Sequence, residues 1–154
     1  MTDARPLAPR AQPGWALAWR LTYGFLRLID PWFRVSWRIG ALGITARLEV
    51  SGRRSGRSRD VLLGLLRIDD RWYIGHPNGP AAWTRNLEAA GGAVIRPSSS
   101  ISVRVSATRL EPGPERDAAI GVTARQQPFP GNLLYRASRR HVMAVGVYFH
   151  LEPR

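Results

Sequence analysis

From Trp15 to Ile29 the large apolar side chains Trp15, Trp19, Phe25, Leu26 and Ile29 fall mostly three or four residues apart, the spacing of one helical face. Asp30-Pro31 reads as a stop and a restart, because aspartate caps helices well and proline is at ease in a first turn. A second short helix over Pro31–Ile39 is therefore expected. From residue 42 the period changes to two. Leu42–Val50, rich in Leu, Ile, Thr and Val, predicts a strand; the polar stretch 51–59 predicts a loop; and Val61–Ile68 predicts an apolar strand. Asp69-Asp70 turns the chain into Arg71–Gly75 and completes a hairpin. His76-Pro77-Asn78-Gly79-Pro80 breaks that strand. A short helix over Ala81–Ala90 then carries Trp83 and Leu87 on one face and stops at Gly91-Gly92. Ala93–Arg96 is a brief strand, and Ile101–Leu110 alternates Ile101, Val103 and Val105 against Ser102, Arg104 and Ser106. Pro112-Gly113-Pro114 leads into a helix over Glu115–Arg125, Gln126–Arg139 reads as a loop, and His141–Leu151 as the last strand.

About six strands with N-terminal helices and two short helices predict an α+β, mainly β chain, folded as a small and mostly antiparallel barrel. The expected organisation is a disordered arm over 1–13, marked by Pro6, Pro9 and Pro13, a helical segment over 14–39, and the barrel over 40–154. In small barrels side chains fill the interior, so a ligand is expected at a mouth or in an outer groove.

Composition narrows the chemistry. At 154 residues the chain is one domain long. It has no cysteine, which excludes disulfides, thiolate metal sites and cysteine nucleophiles. Its three histidines, His76, His141 and His150, form no metal-ligand motif. All 23 basic residues are arginine, so every cationic contact is a planar fork suited to phosphate or carboxylate. The net charge is +12, and residues 1–59 hold 11 arginines against Asp3, Asp30 and Glu49, which points to anionic partners. No stretch is long and apolar enough to span a bilayer, and a cytoplasmic location is expected. Trp15, Trp19, Trp32 and Trp37 with Arg20, Arg27, Arg34 and Arg38 match an interfacial helix, which would hold residues 14–39 on an anionic membrane surface at the inner face. The competing expectation is that this face packs on the barrel or across a homodimer. No sheet face interleaves aromatics with arginines, so no specific nucleic-acid partner is expected.

The strongest chemical signal is Gly52-Arg53-Arg54-Ser55-Gly56-Arg57-Ser58-Arg59. Two glycines bracket a turn between strands, where amide N–H groups can face an anion, and four arginines and two serines surround it. The spacing is not that of a Walker loop, and no helix follows. The second signal is Asn78-Gly79-Pro80-Ala81-Ala82-Trp83-Thr84-Arg85-Asn86-Leu87, where a helix starting after a turn offers free N–H groups and a positive dipole end.

In this order and at this spacing, Gly52-Arg53-Arg54-Ser55-Gly56-x-x-Arg59, the Asp-Asp hairpin and Trp83-x-x-Asn86-Leu87 resemble the deazaflavin-dependent nitroreductase family. The resemblance covers about Leu42–Val105 and, more loosely, His141–Pro153. It implies a split β-barrel related to FMN-binding barrels. It also implies reduced 8-hydroxy-5-deazaflavin (coenzyme F-420) as cofactor, ahead of FMN, and hydride transfer to an apolar acceptor such as a nitroaromatic, quinone or conjugated carbonyl. By the same resemblance Arg53, Arg54, Ser55, Arg57 and Arg59 contact the cofactor's phosphate and acidic tail, and Val61, Leu62, Leu63, His76, Pro77, Asn78 and Gly79 line its ring. Trp83 and Asn86 support that site, and Tyr135 stands on the substrate side as the catalytic candidate with Phe129 beside it. Ser58 replaces the family's proline and Asn78 a common lysine, and the loop from Gly79 to Trp83 is short. The alternative function is a non-catalytic split barrel that binds a flavin-type cofactor or haem.

Overall fold

The structure is a computed structural model and describes residues 9–40 and 42–154. Most of the expected arm, residues 1–8, lies outside the described residues. Among the described residues five helices and seven strands follow in the order α1 (Pro13–Arg38), β1 (Thr45–Ser51), β2 (Ser58–Gly64), β3 (Leu66–Ile68), β4 (Arg71–His76), α2 (Ala82–Ala90), β5 (Gly92–Ser98), β6 (Ile101–Arg109), α3 (Pro114–Gln126), α4 (Gly131–Ala137), α5 (Arg139–Val145) and β7 (Val147–Pro153). The result is an α+β, mainly β chain.

All seven strands join one sheet in the order β2-β1-β5-β6-β7-β4-β3, every pairing antiparallel. β2 and β3 occupy its two opposite ends, yet only Leu65 separates them in the chain. One residue spans a few ångströms at most, so the sheet must curl until its ends meet. That requirement makes it a barrel. The expected single strand Val61–Ile68 is therefore two strands turning at Leu65, whose N–H is bonded to the Ile44 carbonyl.

Alternation sorts the side chains onto two faces. Leu48 and Val50 of β1, Ile74 of β4, Ile95 of β5 and Phe149 of β7 fill the barrel interior. Leu66, Tyr73 and Tyr148 turn outward and are covered by Ala119, Ile120 and Val122 of α3 and Val142 of α5. β7 is consequently buried on both faces.

Two further expectations are corrected. The Asp30-Pro31 boundary does not end a helix: α1 is one helix of 26 residues with Pro31 inside it. Proline removes one backbone bond, but the helix continues because Phe33 and Trp37 carry the inward face onward, and Trp37 is buried. Asp30 serves an ion pair with Arg34, four residues on, instead of a cap. The stretch read as a loop and a long last strand, 126–146, is mostly helix, with His141 buried in α5.

The backbone of α1 stands clear of the sheet, and side chains bridge the gap. Trp19 Nε1 donates to Ser138 Oγ at 3.2 Å, and Asn78 Nδ2 donates to the Ala16 carbonyl at 3.1 Å. The Gln12 N–H donates to His141 Nδ1 at 3.0 Å, which leaves the proton on Nε2 to donate to Asn78 Oδ1 at 2.8 Å. At the other end Arg34 bridges Asp30 and Asp60, and Arg47 adds a second contact to Asp60 at 3.2 Å. Among the described residues no helix is long and apolar enough to cross a membrane.

Candidate functional site

Two cavities lie between α1 and the barrel. The first, about 620 Å³, is lined by Arg53, Arg54, Ser55 and Arg59 of the β1–β2 loop and strand, by Ala81, Ala82, Trp83 and Asn86 around the start of α2, and by Arg27 and Asp30 of α1. The second, about 690 Å³, is more apolar and is walled by Trp19, Leu26 and Phe33 of α1, by Leu62, Leu63 and Gly64 of β2, and by 126–131 with Leu134 and Tyr135. Tyr23, Leu26, Asp30, Val61, Leu62, His76 and Trp83 line both, so the two chambers share a wall.

The β1–β2 loop is a closed turn. Gly52 N–H donates to the Arg57 carbonyl and Gly56 N–H to the Gly52 carbonyl, both at 2.8 Å, while Arg57 N–H donates to Ser55 Oγ. Asn86, buried in α2, accepts from both the backbone N–H and the Nη1 of Arg53 at 3.2 and 3.0 Å. Four loop amides are thus spent on holding the loop. Arg54 and Ser55 are left as the positions whose N–H groups have no partner among the described residues. The expected outward row of amides shrinks to these two, with the Arg54 and Arg59 side chains beside them. The first turn of α2 borders the same chamber through Ala81 and Ala82, adding its positive end.

Acidic groups sit deeper. Burial alone would raise the Asp60 carboxyl, but Arg34 and Arg47 outweigh it and hold Asp60 below its usual range. The chamber therefore runs from forked cations at the loop to the Asp30 and Asp60 carboxylates, both paired with Arg34, where α1 meets β2.

At the shared wall, His76 stacks on Tyr23 with ring centres 4.8 Å apart and meets Trp83 edge-on at 6.4 Å. Its Nδ1 lies 2.9 Å from the Gly79 carbonyl and 3.4 Å from the Asn78 N–H; the shorter contact assigns the proton to Nδ1 and leaves Nε2 an open lone pair. Burial lowers the His76 pKa, partly offset by that carbonyl, and the ring is neutral at pH 7. In the apolar chamber Tyr135 packs on Trp19 at 4.9 Å. Burial holds the Tyr135 hydroxyl protonated, its pKa well above the ordinary value. Burial also pushes Tyr23 up to about 12, with Tyr135 pulling slightly the other way. Tyr148 at the chamber floor is likewise raised by burial, and its hydroxyl contacts Thr123 Oγ1 at 3.1 Å.

Of the residues singled out in the sequence, Arg53, Arg54, Ser55, Arg59, Val61, Leu62, His76, Trp83 and Asn86 line the first chamber, and Leu63 and Tyr135 the second. Arg57, Pro77, Asn78 and Gly79 line neither; Asn78 is engaged with Ala16 and His141. Sequence reasoning misses Tyr23 and gives Arg27 to a lipid-facing stripe and Asp30 to a helix cap, whereas all three line the first chamber. The three- and four-residue steps Tyr23, Arg27, Asp30 were the available signal. Among the described residues no cluster of histidine and acidic side chains could hold a metal ion.

No family model and no curated protein sequence matches the chain. Solved structures do. An F420-H2 dependent reductase superposes with a TM-score of 0.56 at 17% identity, covering 71% of this chain and 94% of its own. A domain-swapped dimer gives 0.55 at 16%, covering 85% and 98%. HutZ, the heme storage protein from Vibrio cholerae, gives 0.53 at 15%, covering 82% and 90%. At such identities the likeness is one of fold, and in fold the chain is a split β-barrel of the kind found in both reductases and haem proteins.

Proposed function

We propose that the protein is a deazaflavin-dependent oxidoreductase that passes a hydride from reduced 8-hydroxy-5-deazaflavin to an apolar acceptor, a nitroaromatic, quinone or conjugated carbonyl. The observation that carries this reading is the pair of joined chambers, one rimmed by arginine forks and the other apolar. Such a pair matches an anionic, ring-bearing cofactor beside a greasy substrate. The residues fit that cofactor. Arg54, Arg59 and the amides of Arg54 and Ser55 would take its phosphate and acidic tail, and Val61, Leu62 and Trp83 would flank its ring at the shared wall.

When bound, the reduced deazaflavin supplies the hydride, so the protein needs no nucleophile. Its residues bind, orient and keep water out. Trp19, Leu26 and Phe33 exclude water from the acceptor chamber. The Tyr135 hydroxyl, kept protonated by burial, donates a hydrogen bond to the acceptor oxygen that strengthens as charge develops there. His76, neutral and fixed by the Gly79 carbonyl, offers Nε2 as an acceptor at the boundary.

The test is direct binding of reduced coenzyme F-420, FMN and haem, each titrated separately by fluorescence quenching or absorbance. Arg54→Ala and Arg59→Ala should each weaken deazaflavin binding roughly 10- to 150-fold, the worth of a charge-assisted hydrogen bond. Unchanged affinity in both would remove the loop from the cofactor site. One observation favours a second reading, a haem carrier: a histidine with one ring nitrogen tied to a carbonyl and the other open is how protein histidines ligate metals. In that case haem binds, and His76→Ala abolishes its ligand-field bands.

A further inference from the structure

We propose that the outer face of α1 pairs with the same face of a second copy of this chain in an antiparallel arrangement. Leu21, Phe25, Leu28, Trp32 and Val35 on that face, and Ile39 at the cap that follows the helix, are between 56% and 78% exposed. Their spacing is four, three, four, three, four. That strict alternation is the narrow a/d seam of a coiled coil rather than the broader stripe of a helix packed on a globule. α1 already has its globular face, since Trp19, Leu26 and Phe33 turn toward the barrel and line the apolar chamber. The helix is therefore apolar on two sides, and only one is covered.

Area and charge both fit a second copy. The six side chains expose roughly 800 Å², the share one partner contributes to a standard interface. With Leu21 set against the partner's Ile39, Phe25 falls against the partner's Val35 and Leu28 against the partner's Trp32, so all six find a mate in one register. The positions flanking the seam are nearly uncharged: Gly24 and Pro31 border one side, and Thr22, Ile29 and Ser36 the other. Arg38 is the one cation there. An antiparallel pair places the two copies of Arg38 at opposite ends, whereas a parallel pair sets them side by side, which selects the antiparallel form. Arg34, on the adjoining side, is held by Asp30 and Asp60. A bilayer surface is the poorer match. A helix lying in lipid turns a charged face to water, and α1 turns aromatic side chains to the barrel instead.

Sedimentation of the full chain over a concentration series should show a dimer. Leu28→Glu with Trp32→Glu places carboxylates at the centre of the seam and should weaken association about 100-fold or more. Neither residue lines a chamber, so ligand binding and the dilute melting temperature should stay near wild type. Because the chain has no cysteine, introduced thiols report geometry cleanly. Leu21→Cys/Ile39→Cys should form covalent dimers under mild oxidation, and each single variant should not. A chain that stays monomeric overturns the proposal, as does a dimer that tolerates both glutamates. Cross-linking of Leu21→Cys alone overturns the antiparallel form. Pelleting of a monomeric chain with phosphatidylglycerol vesicles assigns the face to an anionic membrane and overturns it too.

Discussion

Gly75 shows how one missing side chain shapes the site. The Tyr148 ring lies flat against it, and a Cβ at position 75 would sit 2.4 Å from that ring, closer than any real contact. Tyr148 is fully buried and its hydroxyl is tied to Thr123, so the ring can yield only into the apolar chamber and at the cost of that contact. Gly75→Ala should therefore destabilise the fold by about 1–3 kcal/mol and reshape the apolar chamber, whose floor these two residues form. Thermal unfolding checks the first effect, and a parallel loss of acceptor binding the second. Little of this was legible from residue types: Gly75 sits in an ordinary strand pattern, and its need for hydrogen appears only once β4 and β7 are neighbours. The arginine loop was legible because its chemistry is local. What the residues did not reveal is that Asn86, 33 positions away, spends its oxygen on Arg53.

At the level of elements, local pattern succeeded where one period ruled. The alternation in 101–109 located β6, and the left-handed Gly91, with φ of +68°, ended α2 as the glycine pair implied. It failed at Asp30-Pro31 and again over 131–145. There Phe129-Pro130-Gly131 breaks the chain, and Val142, Val145 and Val147 run from helix into strand without a change in residue type. Tertiary packing decided both. The ion pairs of this cluster, Arg34 with Asp30 inside α1, Arg34 with Asp60 from α1 to β2 and Arg47 with Asp60 from β1 to β2, are 30–41% exposed and contribute about 0.2–1 kcal/mol each. Arg34→Ala should accordingly lower the melting temperature by roughly 2–6 °C, with the difference shrinking in high salt. A salt-independent difference would mean that Arg34 acts through packing of its stem.

For the whole molecule, pH acts through two histidines on the link between α1 and the barrel, His141 buried and His76 half-buried. Burial lowers the pKa of both His76 and His141. The unfolded chain then binds more protons than the folded one as pH falls below the ordinary histidine value of 6.5. Stability is full above that value and is lost as pH drops through the folded-state pKa. Protonated His141 could no longer accept from the Gln12 N–H. The melting temperature should fall between about pH 7 and pH 5, and His141→Gln should flatten the slope. An unchanged slope would place the loss elsewhere. The strand order carries one more consequence, in time rather than space. β1, β2, β5 and β6 can pair among themselves, and β3 with β4, but apart from the covalent link at Leu65 the two groups are hydrogen-bonded to each other only through β7. Residues 147–153 are thus the keystone of assembly: whatever pairs early must wait as two separate half-sheets, with open edges, until the final strand arrives to close them.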